Sequence, residues 1–260
     1  MSNEQLTRYA PSVFAAAPSH RMSERYTFIP TIAVVEGLRS AGWAVVAAAE
    51  QRVRLDDRKG VQKHMLRLRR ADGMQALNVG DSITELVLSN SHDGSSAYEA
   101  VLGLFRKVCS NGLHVAAGTL STVKVRHSGR AADEVVEGSF RLMDETPRLV
   151  EAVDGMRAVQ LTAGEQTAFA SAALAARYEV DAAPVAPTAL LTPRRWDDRG
   201  ADLWSTFNRV QEHMIRGGLR GRNTAGKRTT TRAVTGLDAD TKLNRALWTL
   251  AEEMRKLKTA

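Results

Sequence analysis

The sequence predicts an α+β fold in which an antiparallel sheet meander is followed by a long helix, a β-β-β-α core, with additional helices toward the C-terminus. Three observations predict it. Segments 43–55, 61–70 and 83–90 alternate in apolar character or run apolar, and Asp56, Asp57 and Gly60, then Asp72 and Gly73, mark short turns between them. From Ser96 the spacing switches to a helical one behind a capping-box pattern, Ser96 followed by Glu99. Beyond residue 130 the apolar residues recur at helical intervals almost to the end.

Taken in order, residues 1–30 contain Ala, Pro and Ser with weak periodicity and read as an N-terminal arm. A core domain follows over 31–179, opening on a short helix in which Ile32, Val35 and Leu38 share a face and Gly42 ends the turn. The strands WAVVAAAEQRVRL, VQKHMLRLRR and ITELVLSN come next. In the helix expected after them, Tyr98, Val101, Leu102, Phe105 and Cys109 fall on one face, and Asn111 with Gly112 supplies the stop. One or two further strands are expected over LHVAAGTLSTVKVRHSG, the second at Thr122–His127, then a helical stretch broken before Pro147, then an Ala-rich helix capped by Thr162 and Glu165. DAAPVAPTALLTP, with three prolines, reads as a linker over 180–193. The region 194–260 is expected to be helical, with a Gly/Arg/Thr-rich basic loop between ADLWSTFNRVQEHMI and a final helix striped by Leu243, Leu247, Leu250, Met254 and Leu257.

Chemistry is sparse. The single cysteine, Cys109, sits on the apolar helical face and reads as core, because a helix C-terminus raises a thiol pKa and so opposes the thiolate a nucleophile requires. The six histidines show no HxxxH or HxH spacing, and the adjacent types in Asn90-Ser91-His92-Asp93 cannot face one another as triad members must. GRNTAGKR approaches the phosphate-binding GxxxxGK[ST] pattern but carries Arg228 where the metal-binding Ser or Thr belongs, and it follows a helix. No enzyme, metal or cofactor is therefore expected. No apolar run approaches the roughly 18 residues that span a bilayer, and MSNEQLTRYA lacks a signal pattern, so a cytoplasmic protein without membrane contact is expected.

The net charge of +7 points to a polyanion, and its placement is specific. By strand alternation Arg52 and Arg54 share a face, as do Lys63, Arg67 and Arg69, and again Lys124 and Arg126, each set opposite an apolar face. No carboxylate occupies those same-face positions, so the expected sheet carries a cationic stripe that an anion would neutralise. A second cluster, with Arg220, Arg222, Lys227 and Arg228, reads as a basic loop suited to phosphate contact.

The stretches RYTFIPTIAVVEGLRSAGW, QKHMLRLRR, LVLSNSHDGSSAYEAVLGLFRKVCSNGL, PRRWDDRGADLWSTFNRVQEHMIRGGLRGR and ALWTLAEEMRKLK resemble the phage- and plasmid-associated family named domain of unknown function 932. The expected β-β-β-α unit with a basic sheet face is in turn similar to the core of the single-strand annealing proteins, the superfamily of Rad-fifty-two and phage Red-beta. That similarity implies an ATP-independent protein for phage- or plasmid-type recombination, a homo-oligomeric ring holding single-stranded DNA by its backbone with the bases free to pair. The phosphate contacts would fall to Arg52, Arg54, Lys63, Arg67, Arg69, Lys124 and Arg126, with Arg220, Arg222, Lys227 and Arg228 as a second clamp. The alternative is a non-enzymatic regulator or packaging factor that binds duplex nucleic acid.

Overall fold

A computed structural model of the chain describes residues 1–24, 26–73, 82–106, 112–114, 122–125, 131–179 and 181–259. They form an α+β protein divided into two compact units, one of Met1–Lys107 with Thr119–Thr146, the other of Val108–Gly118 with Pro147–Ala260.

The residues expected to form a loose arm are folded into the first unit. α1 (Asn3–Tyr9) is held by a reciprocal Ser2–Gln5 capping box, and Leu6 and Val13 are fully buried in the core. α2 (Thr31–Ser40) follows Pro30 and buries Val34, Val35 and Leu38. The sheet is then laid down by β1 (Trp43–Glu50), β2 (His64–Arg70), β3 (Ser82–Asn90) and β4 (Tyr98–Arg106), each antiparallel to the one before. After β5 (Gly112–His114), which belongs to the second unit, β6 (Thr122–Val125) returns to pair antiparallel with β4, and α3 (Ala131–Met143) completes the first unit.

The alternation read in β2 is what the fold uses. His64, Leu66 and Leu68 face a core shared with α1, α2 and α3, while Met65, Arg67 and Arg69 lie on the other face. Each leucine so buried contributes about 1.5–3 kcal/mol.

The helix expected from Ser96 onward is instead the strand β4. Its sequence satisfies both periods: Tyr98 and Ala100 join the main core with Leu102 buried on their face, and Val101 and Phe105 alternate into a second apolar cluster with Val87 on the opposite face. A strand apolar on both sides carries residues at i, i+3 and i+4 as readily as a helix does, so periodicity alone cannot separate the two. Pairing along the whole of β3 decides the matter. Ser96 accordingly caps no helix; its backbone N–H donates to Ser91 Oγ at 2.9 Å. Cys109, proposed as a core residue of that helix, lies outside the described residues, as does Arg126.

In the second unit, α4 (Thr146–Ala158) starts after the break expected before Pro147, and α5 (Ala163–Ala175) carries the Thr162–Glu165 capping box. α6 (Leu203–Arg216), capped by Asp202, is buried from Leu203 through Ile215. Around it pack α5 and α7 (Leu237–Thr259), with Trp204 stacked on Phe207 and Phe207 edge-on to Trp248. The stripe on α7 is buried at Leu243 and Leu247 and runs out to solvent at Leu257. The proline-rich segment expected as a linker is an integral part of this unit, since a 3-10 helix, Pro187–Leu191, packs on α5 and α6 and buries Leu190. The chain passes between the units at Lys107/Val108, Gly118/Thr119 and Thr146/Pro147, and residues 180–193 lie within the second unit. Among the described residues no helix is long and apolar enough to cross a membrane.

Candidate nucleic-acid interface

The cationic stripe expected on the sheet is compensated from within. β3 brings Glu85, 0% exposed, onto the face of Arg67 and Arg69: Arg67 Nε lies 2.6 Å from Glu85 Oε2, and Arg69 Nη2 lies 2.6 Å from Oε1. In the β3–β4 register Glu85 stands opposite Gly103, so no cross-strand side chain competes with the two guanidiniums for the carboxylate. The Arg67 guanidinium also stacks over the Phe105 ring, 3.5 Å from its centroid. Phe105 thus places on this face an aromatic that the helical reading put elsewhere. With 23% and 19% of their side chains exposed, Arg67 and Arg69 are bound up in a buried ion triad and are poorly placed to meet phosphate.

The other sheet residues scatter. β1 ends at Glu50, so Arg52 and Arg54, both exposed, stand beyond the strand. Lys63 immediately precedes β2, where its carbonyl accepts from Gln51 N–H at 2.7 Å. Lys124 is exposed on β6 but stands opposite Glu99 in the register. Among the described residues no continuous basic stripe results.

The second cluster is better formed than a loop. β7 (Arg220–Arg222) and β8 (Arg228–Thr230) make a two-stranded ribbon with Arg222 paired to Arg228 and Arg220 to Thr230. Alternation puts Arg220, Arg222 and Arg228 on one face, all exposed, and they line an open concavity of about 570 Å³. The turn is built by Asn223: its Oδ1 accepts from the N–H groups of Ala225 and Lys227, its N–H bonds to the Lys227 carbonyl at 2.9 Å, and Gly226 supplies a φ of +72°. The GRNTAGKR stretch is therefore a hairpin, without the strand-loop-helix setting of a phosphate-binding loop.

The ribbon is anchored at both ends. Arg222 N–H donates to the Pro184 carbonyl at 2.8 Å, and Gly221 comes so close that a Cβ would stand 1.8 Å from that oxygen. At its base Gly218 N–H bonds the Thr231 carbonyl, and Arg194 Nη2 donates to the Gly217 carbonyl at 2.7 Å. Buried Glu212 nearby is shared by Arg195 and Arg216 at 2.9 and 2.8 Å, so Arg216 is neutralised. Arg220, Lys227 and Arg228, by contrast, have no carboxylate partner among the described residues, and the segment from Arg216 to Arg232 contains no acidic residue at all.

A third constellation went unnoticed in the sequence because its members are far apart along the chain. At the end of the sheet Ser12, Thr31, His64, Asn90 and His92 are all fully buried. Thr31 Oγ1 lies 2.9 Å from His64 Nε2 and 3.2 Å from His92 Nε2, and it accepts from Asn90 Nδ2 at 3.0 Å. His64 Nδ1 is 3.0 Å from Ser12 Oγ, which donates to Glu50 Oε2 at 2.9 Å. Serine, histidine and carboxylate do meet, but the hydroxyl and the ring are fully buried, and among the described residues the partners of the His64 ring are Ser12, Thr31 and the Gln62 carbonyl rather than a carboxylate. The arrangement ties the N-terminal segment to the sheet.

Burial, with the second imidazole beside it, holds the His64 pKa down to about 3 against the backbone contact from Gln62 that would raise it. Unfolded, the same ring titrates near 6.5, so the unfolded chain takes up a proton that the folded one refuses. Stability is complete above that value and is lost as pH falls toward 3, by up to about 1.4 kcal/mol per pH unit. Equilibrium urea unfolding followed from pH 7 to pH 4 should accordingly fall more steeply for the wild type than for His64→Gln; identical slopes would contradict this.

Among the described residues no group of three or more His, Cys, Asp or Glu side chains is placed to hold a metal ion. No solved structure matches the chain. Two proteins of Escherichia coli strain K12 are similar to it, UPF0380 protein YfjQ and UPF0380 protein YafZ, each 44% identical over 254 residues, covering 98% of this chain and 91% of theirs. Neither name states an activity. The sequence profile of the family described as domain of unknown function (DUF932) matches residues 19–248, which include the β2–β4 sheet, the buried histidines and the basic ribbon, and the chain belongs to that family.

Proposed function

We propose that the protein binds single-stranded DNA by its backbone and brings complementary strands together without nucleotide triphosphate, acting as a non-enzymatic cytoplasmic homo-oligomer in phage- or plasmid-type recombination. One observation carries the binding part of this reading: Arg222 and Arg228 face each other directly across an exposed ribbon, with Arg220 on the same face and Lys227 at the turn. Like charges opposite one another in a ladder destabilise it, and a polyanion laid over them removes the cost. The ribbon replaces the sheet face as the principal phosphate contact. The annealing part rests on the likeness of the antiparallel meander to the annealing superfamily, with β4 now standing where that likeness had a helix.

A second reading has its own support, because a two-stranded β-ribbon fits the major groove of B-form DNA. Annealing of complementary fluorescent oligonucleotides, run without triphosphate at low and high salt, separates the two. Accelerated annealing that salt suppresses is the expected result. Tight binding to duplex with no acceleration would select the duplex-binding regulator instead.

A further inference from the structure

Tryptophan is the costliest side chain to leave in water, and the chain buries Trp43, Trp204 and Trp248 while leaving Trp196 75% exposed. The exposed ring stands on a fixed base. It begins a 3-10 helix, Trp196–Asp198, whose neighbour Arg195 is clamped on buried Glu212 and whose last residue, buried Asp198, accepts through its carbonyl from Arg209 Nη1 at 2.7 Å. The Arg199 guanidinium covers one side of the indole, 4.0 Å from the ring centroid. A ring backed by a cation, on a segment held by an ion pair to buried Glu212 and a buried hydrogen bond, loses little entropy when something stacks on it.

The surroundings indicate what stacks. Arg194, two residues before Trp196 and so within about 7 Å along the chain, donates to the carbonyl of Gly217 at the foot of the basic ribbon. Arg194, Arg199, Arg220, Arg222 and Arg228 are all exposed, against one exposed carboxylate on this segment, Asp197. An apolar protein partner gains nothing from such a field, whereas a nucleic acid strand supplies both a π-face and flanking phosphates.

We propose that Trp196, backed by Arg199, is the stacking platform for an unpaired nucleobase whose neighbouring phosphates run onto Arg194 and the ribbon, so that the second unit selects single strands over duplex. This rests on the nucleic-acid reading of the ribbon and goes beyond it, since a paired base offers no free face to the indole.

Intrinsic fluorescence tests it in the intact chain. Oligothymidylate should quench the emission of the wild-type protein, and Trp196→Leu should lose that quenching and bind oligothymidylate about tenfold more weakly or worse. Trp196→Phe should bind nearly as the wild type does, and an abasic deoxyribose-phosphate oligomer should bind wild type and Trp196→Leu alike. Salt-dependent binding of oligothymidylate that Trp196→Leu leaves unchanged would overturn the stacking site while sparing the ribbon. A changed oligomeric mass in Trp196→Leu with unchanged affinity would do the same and assign the ring to a contact between copies. Wild-type protein that binds neither oligomer at low salt would overturn both.

Discussion

Arg67→Ala combined with Arg69→Ala lowers the midpoint of urea unfolding by the equivalent of about 3–5 kcal/mol, because it leaves the Glu85 carboxylate buried without a partner. Glu85→Ala is expected to cost as much, since it strands two partly buried guanidiniums, Arg67 over Phe105 and Arg69 beside it on the same strand face. The loss is large against the 5–15 kcal/mol that holds a domain folded. An apolar replacement of all three residues removes the charges together, and it should be close to neutral or even stabilising. That contrast identifies the cause: if the triple apolar variant is as unstable as the double one, packing and not the ion triad is responsible. Loss of less than about 1 kcal/mol in the double variant would show the pair to be a surface feature, as exposed ion pairs are.

The second large effect falls on binding and spares the fold. Arg220→Ala with Arg228→Ala removes two exposed side chains, neither of which pairs with a carboxylate among the described residues, so the unfolding midpoint stays within about 0.5 kcal/mol of wild type. Two lost phosphate contacts make the slope of log affinity against log salt shallower by about 1.4 for single-stranded DNA. Weakening should be uniform across sequences, since phosphate contacts carry no sequence information. A slope unchanged by the double substitution would remove the ribbon from the interface.

Much of the scaffold is legible in the sequence, and the illegible parts have physical reasons. Single elements with one buried face are plain: the alternation of His64, Leu66 and Leu68, the Thr162–Glu165 cap, and the apolar positions Leu243 and Leu247 on α7 each stand where the spacing puts them. β4 is misread because it is apolar on both faces and its partner, β3, is a fact of pairing that no local window contains. The same blindness hid the ion triad. Glu85 lies 16 and 18 residues from its arginines, and only the register shows that it shares their face. The N-terminal arm reads as weakly periodic because its anchors, Ser12 to His64 and Ser12 to Glu50, join residues 52 and 38 positions apart. In the ribbon, Asn223 and Gly226 are turn residues that do announce a hairpin, and the density of arginine around them masked that signal.

These corrections move the functional weight of the molecule. On the sheet Arg67 and Arg69 are engaged with buried Glu85, and the exposed arginines that share one face and line one concavity are on the ribbon of the second unit. The most direct test of that claim is fluorescence anisotropy of a labelled oligothymidylate titrated with the full chain across a range of salt concentrations, wild type beside Arg220→Ala/Arg228→Ala. A steep linear fall of log affinity with log salt, shallower in the variant, is the predicted result. Affinity that ignores salt, or that the variant retains in full, would contradict the account.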